Sequence, residues 1–135
     1  MKQHNQNLTD EQKHVLFNKG TEAPFTDERL TDFSAGVYAC VNCGAKLFSS
    51  DTKYESKTAG LVGWPSFDKA IDGAVKFRED NSMGMYRTEV ICATCGVHLG
   101  HVFAADDAPS GDHYCINSVC LNFKNDSNDK AQKIK

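Results

Sequence analysis

The sequence has no long apolar run and no strong excess of charge of either sign. No stretch, whether in the first twenty residues or later, is apolar over the length that a signal peptide or a membrane span requires. The net charge of -3 is mild and argues against a nucleic-acid or a membrane partner. We therefore expect a cytoplasmic protein. Its 135 residues predict a single domain, large enough for a hydrophobic core, and a monomer.

Short runs of β-branched and aromatic residues, separated by Gly, Pro, Asp and Ser, predict a mainly β fold with an antiparallel core after Gly36. The runs are 37–39, 47–48, 75–77, 86–91, 101–103 and 113–117. A short helix is predicted to begin at Thr9 or Asp10 and to end near Gly20, and residues 27–30 could add a helical turn. Residues 1–123 are predicted to form the domain, followed by a polar, frayed tail over 124–135.

Four of the six cysteines lie in two CxxCG motifs. The two-residue gap lets both thiolates of a tight turn face one ion, and the glycine tolerates a positive φ. We predict one structural Zn²⁺ with four thiolate ligands, Cys40, Cys43, Cys92 and Cys95. A redox-active CxxC pair and an iron centre are the alternatives, although neither motif precedes the long amphipathic helix that a redox CxxC normally opens.

A zinc site alone makes a non-catalytic zinc-binding interaction module the main alternative function. A nucleic-acid-binding zinc ribbon carries exposed Lys and Arg around its cysteines, whereas Val, Asn, Ala, Thr and Leu surround these motifs. The sequence therefore disfavours a module of that type.

The two remaining cysteines, Cys115 and Cys120, differ in their neighbours. Strand alternation places Cys115 on one face with His113 and Asn117, so its thiol lies among polar groups. This pattern favours a reactive thiol, and the alternatives are a buried free cysteine in a β core and a peroxide-sensing thiol.

Two histidines and the single tryptophan are further candidates for a site. His98 and His101 directly follow the second CxxCG motif and can hold a substrate oxygen or shuttle a proton. A metal role is disfavoured because no carboxylate or further histidine with ligand spacing accompanies them. Trp64, in a predicted loop beside a proline, is either a core aromatic or a wall for a small apolar group.

Several motifs together resemble those of the methionine-R-sulfoxide reductase B family. They are GWPSF at 63–67, RTEV at 87–90, HLGHVF at 98–103 and YCINS at 114–118, in this order and with the two CxxC pairs, and the similarity covers roughly residues 8–123. The resemblance implies two antiparallel β-sheets with short N-terminal helices and a zinc site remote from the reaction. It also implies thiol-dependent reduction of methionine-R-sulfoxide, free or protein-bound, in the repair of oxidised proteins.

The resemblance also assigns roles to residues by position. Cys115 matches the nucleophile, which becomes a sulfenic acid; His98, His101 and Asn117 match residues that bind the substrate oxygen and water; Trp64 matches the wall that receives the methyl group. We also assign Phe67 and His113 to substrate binding. These roles agree with thiol chemistry, in which a nucleophilic sulfur needs a nearby proton donor for the departing oxygen.

Two departures from the family pattern affect the expected reaction cycle. Val62 stands where many members carry the cysteine that reduces the sulfenic acid. Five residues of extended strand would separate Cys115 and Cys120 by roughly 16 Å between Cα atoms, beyond the disulfide limit of about 7 Å, so Cys120 could resolve the sulfenic acid only after rearrangement. We otherwise expect a thioredoxin-like partner or a small thiol as reductant.

The second departure is His113, which replaces an arginine usual in the family. Histidine carries that charge only when protonated, so activity is expected to fall more steeply with rising pH than in a relative that has the arginine. Asp106 or Asp107 could take the place of an acidic residue that the family has nearby.

Overall fold

One α-helix lies in the part of the chain that a computed structural model describes, residues 2–26, 30, 32–58 and 60–125. This helix, α1, spans Asp10–Asn18. Thr9 and Gln12 form a capping box, in which the side-chain oxygen of each residue accepts a hydrogen bond from the backbone N–H of the other. This confirms the predicted start of the helix. Lys19, with φ 57°, ends the helix just before Gly20. Except for its last residue, the helical turn predicted at 27–30 lies outside the described residues.

Nine strands are present in the described residues. They are β1 Gly36–Cys40, β2 Lys46–Ser49, β3 Lys53–Tyr54, β4 Ser66–Phe67, β5 Val75–Asp80, β6 Arg87–Cys92, β7 His98–Ala104, β8 Asp112–Ile116 and β9 Leu121–Asn125. They form a three-stranded sheet in the order β2-β1-β9 and a six-stranded sheet in the order β3-β4-β8-β7-β6-β5. Every pairing is antiparallel, so the predicted mainly β fold of two antiparallel sheets is confirmed.

The strands that the sequence pattern does not reveal are short or polar. β3 and β4 have two residues each, and β4 lies inside the GWPSF segment that was assigned to a loop. β9 ends at Asn125, beyond the predicted domain boundary at residue 123, because its backbone pairs with β1 as far as Gly36. The remaining part of the predicted tail, 126–135, lies outside the described residues.

The core lies where aromatic side chains of the two sheets meet. Phe48 of β2 stacks on Phe67 of β4 with ring centroids 4.5 Å apart, and Tyr38 of β1 packs edge-on against the same Phe67 ring at 5.1 Å. Leu16 of α1 is also fully buried in this cluster. Such aromatic contacts add to the stabilisation from burial, so the packing fixes β4 against the three-stranded sheet. No helix in the described part of the chain is long and apolar enough to cross a membrane.

Gly100 permits a close approach of β7 and β8. It lies opposite Ile116 in the register, and a Cβ at this position would collide with the Cys115 carbonyl oxygen and lie 3.0 Å from the Ile116 Cα. Both obstacles are backbone atoms in the middle of a sheet, which cannot turn aside as a flexible side chain can.

Gly100→Ala is expected to lower the free energy of unfolding by about 1–3 kcal/mol, the usual cost of overpacking a core. Urea denaturation of the variant beside the wild-type protein measures this change. Lys76→Ala, on an exposed position of β5, is the control and should leave the midpoint nearly unchanged. Equal stability of Gly100→Ala and the control would contradict the close approach.

Candidate functional site

A cavity of about 410 Å³ opens beside the six-stranded sheet. Its apolar lining consists of Leu61, Trp64, Met85 and Phe103, and its polar lining of Thr21, Tyr86, Arg87, His101, Cys115 and Asn117, with Gly60 and Gly100 completing the wall. Four of the predicted site residues, Trp64, His101, Cys115 and Asn117, therefore meet in one cavity. The others lie elsewhere.

Cys115 lies in the middle of the six-stranded sheet, on β8. Its Cα pairs with Ser66 on one side and with His101 on the other, so strand pairing brings the His101 side chain to the same face. Burial, with a further contribution from the negative charge of Glu22, raises the pKa of the Cys115 thiol to about 12. The resting thiol is therefore protonated at neutral pH.

The two histidines of β7 are each bonded to a buried carboxylate. His101 Nε2 donates to Asp80 Oδ2 at 2.7 Å, and His98 Nδ1 donates to Glu89 Oε2 at 2.8 Å. Burial lowers the pKa of both histidines, while their carboxylate partners oppose the shift. His98 is 1% exposed and does not line the cavity, although its ring centroid is 5.4 Å from that of His101. Only His101 is in position to meet a bound molecule.

Glu89 is a fully buried carboxylate that gathers positive groups around His98. Arg78 binds it through two hydrogen bonds of 2.9 and 3.0 Å, and Lys19 Nζ is 3.3 Å away. Although burial would raise it, the bonds from Arg78 and His98 lower the pKa of Glu89 to about 2. The carboxylate is therefore charged and paired, as a buried charge must be.

Glu22 connects Trp64 and Asn117 through its backbone. Its carbonyl accepts the Trp64 indole N–H at 3.0 Å, and its own N–H donates to Asn117 Oδ1 at 3.0 Å. Its buried carboxylate accepts from the Ser118 hydroxyl and the Val119 backbone N–H. The Asn117 amide also donates to the Leu99 carbonyl. One N–H of that amide remains available to a ligand in the cavity.

Phe67 and His113, which we assigned to substrate binding, do not line the cavity. Phe67 is fully buried and belongs to the aromatic core, because alternation along β4 turns it away from the face that carries Ser66. His113 is also fully buried, and its Nε2 is 2.8 Å from the Ser66 hydroxyl. Both residues are therefore buried away from the cavity, Phe67 among aromatic side chains and His113 beside polar ones.

Asp107, and not Asp106, is the acidic residue that faces His113. Its Oδ1 is 3.6 Å from His113 Nδ1, and its carboxylate accepts the Lys57 backbone N–H at 2.9 Å. Burial lowers the pKa of His113, and Asp107 opposes that shift. At neutral pH His113 is therefore a neutral hydrogen-bonding partner and does not supply the charge of an arginine. His113 therefore loses its charge at a lower pH than an ordinary histidine does.

Cys120 is fully buried and does not line the cavity. Its thiol donates to the His98 carbonyl at 3.4 Å, and burial raises its pKa well above the usual value. The chain between the two cysteines is not an extended strand, because a 3₁₀ turn at Ser118–Cys120 follows β8. The sequence-based separation of these cysteines therefore assumed the wrong local conformation, although burial gives a separate reason against a resolving role.

The four cysteines of the CxxCG motifs come together at one point. Their sulfur atoms all lie within 4.8 Å of one another, with 3.7 Å between Cys40 and Cys95 and 3.7 Å between Cys43 and Cys92. These residues could hold a metal ion. The two motifs also form matching turns, in which Gly44 and Gly96 have φ of 84° and 81°.

Several residues around the cavity carry no role in the sequence-based assignment. Asp80, Arg87 and Glu89 belong to the β5–β6 hairpin, and Glu22 precedes the first strand. The RTEV motif contained a signal for two of them, because Arg87 and Glu89 alternate on a strand and therefore share a face. Asp80 and Glu22 offered no such signal, since the site residues that they contact, His101 for Asp80 and Trp64 and Asn117 for Glu22, are distant in sequence.

Comparison with known proteins agrees with this arrangement. The SelR domain matches residues 8–125 of the chain. A Methanosarcina barkeri protein named peptide methionine sulfoxide reductase MsrB is 53% identical over 124 residues, which are 91% of this chain and 84% of that protein. A Leptospira interrogans protein of the same name is 51% identical over 118 residues, 87% of each chain.

Among solved structures, the crystal structure of the Mis18 "Yippee-like" domain resembles the fold with a TM-score of 0.52. The match covers 67% of this chain and 95% of that domain at 18% sequence identity, so the likeness concerns the fold alone. The match to the family is far stronger in sequence and extends over nearly all of the described residues. The chain therefore belongs to the SelR domain family, and it shares about half of its residues with relatives named MsrB.

Proposed function

We propose that this protein reduces methionine-R-sulfoxide to methionine with Cys115 as the nucleophile, and that it repairs oxidised proteins. The observation that carries the proposal is the pairing of Cys115 with His101 across two strands, at a cavity walled by Trp64. The name of the relatives, peptide methionine sulfoxide reductase, supports the same reaction.

The proposed reaction transfers one oxygen atom to the Cys115 thiol. The S–O bond of the substrate breaks and an S–O bond to the Cys115 sulfur forms, so the substrate sulfur is reduced by two electrons and Cys115 is oxidised by two to a sulfenic acid. The thiol proton ends on the transferred oxygen, so no net proton is consumed. A neutral resting thiol therefore holds the proton that the reaction needs, provided that a neighbour such as His101 can move it.

The uneven lining of the cavity supports selection of one epimer. Trp64, Met85 and Phe103 offer apolar surface for the S-methyl group, whereas the Asn117 amide offers a hydrogen bond to the oxygen and the His101 ring gives that side of the cavity a polar surface. When the sulfur is placed at Cys115, exchanging methyl and oxygen would put a polar atom against the apolar wall. The lining thus supports a preference for one epimer, and we infer from the resemblance to the methionine-R-sulfoxide reductase B family that this is the R epimer.

We infer that an external thiol completes the cycle. Four of the six cysteines lie in the cluster that could hold a metal ion and Cys120 is buried, while Val62 occupies the position from which a second thiol acts in many family members. A thioredoxin-like protein or a small thiol would reduce the sulfenic acid directly. A monomer in the reducing cytoplasm is consistent with this cycle.

We infer that the cysteine cluster holds one structural Zn²⁺. Tetrahedral zinc with Zn–S bonds of about 2.3 Å requires sulfur atoms roughly 3.8 Å apart, and the two measured pairs are separated by 3.7 Å. Zinc bound there would join the β1–β2 hairpin of one sheet to the β6–β7 hairpin of the other. The ion would stabilise the fold and take no part in the chemistry at Cys115.

Turnover of the two epimers tests the catalytic proposal. With dithiothreitol, the wild-type protein is expected to reduce methionine-R-sulfoxide and not the S epimer, and Cys115→Ser is expected to lose all activity above background because the nucleophile is gone. Cys120→Ala is the matched control and should retain activity. A single turnover without reductant should leave one sulfenic acid per chain, detected by mass after dimedone labelling. A zinc-loaded, folded protein that reduces neither epimer would favour the non-catalytic binding module.

Metal removal tests the structural zinc. We expect elemental analysis to give one zinc per chain, and chelation to abolish the β signal in circular dichroism, because binding free energy at such sites is folding free energy. Cys43→Ser should bind less zinc and melt at a lower temperature, while Cys115→Ser should keep the full zinc content. A metal-free protein with unchanged melting temperature would refute the structural role, and iron in the cluster would refute the choice of zinc.

The buried state of His113 predicts how stability depends on pH. Since its pKa is lowered by burial, the folded chain binds this proton less readily than the unfolded chain, where histidine has a pKa of about 6.5. The stabilisation that comes from this difference in pKa is present above the pKa of the unfolded chain. It is lost as the pH falls toward the lower pKa of the folded chain.

We therefore expect the free energy of unfolding to decline between pH 7.5 and 5, with a shallower decline in His113→Gln. His98 and His101 have pKa shifts in the same direction and preserve part of the slope. His4→Gln, at an exposed position, is the control. Denaturant titrations at several pH values measure the slopes, and an equal slope in wild type and His113→Gln would count against a neutral, buried His113.

A further inference from the structure

The carboxylate of Asp80 touches the ring of His101 from outside the cavity. Asp80 is the last residue of β5, is 5% exposed and does not line the cavity. Its Oδ2 lies 2.7 Å from His101 Nε2. Because His101 lines the cavity with Nε2 already engaged, Nδ1 is the ring nitrogen left for a bound molecule.

Asp80 is itself held by the turn that joins β5 to β6. The Ser82 backbone N–H donates to Asp80 Oδ1 at 3.0 Å, and Arg87 Nη2 donates to Oδ2 at 3.3 Å. Hydrogen bonds from Ser82, and then from His101, hold the pKa of Asp80 well below its usual range. The carboxylate is therefore ionised at neutral pH and can only accept hydrogen bonds.

We propose that Asp80 is a positioning residue for the reaction at Cys115: it accepts the Nε2–H of His101, fixes the tautomer and orientation of the ring, and makes Nδ1 the proton acceptor that faces the cavity. The role of Asp80 in catalysis rests on the proposed function. The fixed tautomer and orientation of the His101 ring depend only on its contact with Asp80.

The fixed tautomer assigns His101 two successive roles. A neutral imidazole with its proton on Nε2 has a lone pair on Nδ1, so it can accept the proton of the Cys115 thiol as the new S–O bond forms. The imidazolium produced is stabilised by the Asp80 carboxylate and then returns the proton to the transferred oxygen. The proton that leaves sulfur is the one that oxygen gains, so the step balances without an added acid or base.

Charged and titratable groups face His101 from each strand around it. Asp80 lies on β5, Arg87 and Glu89 on β6, His98 on β7 itself and Cys115 on β8. The charge of Arg87 favours the neutral ring, whereas Asp80 and Glu89 favour the protonated ring. Asp80 is the one of these groups bonded directly to the His101 ring in the described part of the chain.

Asp80→Asn tests whether Asp80 positions His101 for the reaction. The assay uses the zinc-loaded full chain and methionine-R-sulfoxide. We expect kcat to fall about 100-fold or more, since acid–base assistance contributes about that much, while KM stays near the wild-type value. The acid limb of the kcat profile should move to lower pH, because the carboxylate favours protonation of His101. Loss of packing alone would not move this limb. Asp80→Glu should recover part of kcat, and Asp72→Asn, in the exposed turn before β5, is the matched control.

The tautomer is measured without turnover, by ¹⁵N NMR of the His101 ring. The wild-type protein should show a protonated Nε2 and an unprotonated Nδ1 at neutral pH, and Asp80→Asn should lose this preference. A proton on Nδ1 in the wild type, or a kcat of Asp80→Asn within about twofold of wild type, would overturn the proposal. If the wild type shows the expected tautomer yet reduces neither epimer, the positioning of His101 stands and the proposed function fails.

Discussion

The meeting of two hairpin turns at four cysteine thiols is the constraint on which the arrangement of the two sheets depends. One turn joins β1 to β2 in the three-stranded sheet, and the other joins β6 to β7 in the six-stranded sheet. The pairing register shifts in both hairpins, at Tyr38/Ala39 and at Val90/Ile91, so each hairpin is irregular near its CxxCG motif. β7 begins directly after the second motif, which couples the position of His98 and His101 to the cluster.

Buried carboxylates extend this rigid frame to the cavity. Glu22, Asp80 and Glu89 are each at most 5% exposed, and each holds an element near Cys115 through hydrogen bonds. Burying a charge costs free energy that partners only partly return, so these groups are poor choices for stability alone. What they provide is a defined orientation: Asp80 and Glu89 each fix one histidine ring, and Glu22 fixes the segment that follows Asn117.

The sequence predicts the parts of the site whose signals are local. The CxxCG turns and the helix cap at Thr9 follow from neighbouring residues, and the structure agrees with both. Strand alternation grouped Cys115 with Asn117 and His113; the first two line the cavity, whereas His113 is fully buried and does not. Residue type could not show that Phe67 faces the core, because β4 has only two residues and offers no readable period. The partnership of Asp80 with His101 was equally hidden, since it depends on the register of β5, β6 and β7 and not on any local pattern.

The high pKa of Cys115 is compatible with its proposed role because the reaction needs both a nucleophile and a proton. A permanently ionised thiol would react with many oxidants, since the thiolate is the reactive form. Burial and the charge of Glu22 raise the pKa of Cys115 to about 12, so little thiolate exists in the resting protein at neutral pH. Reactivity then depends on a bound group that can receive the thiol proton through His101. In the proposed reaction, the environment that suppresses the free thiolate thereby makes the chemistry conditional on a substrate oxygen in the cavity.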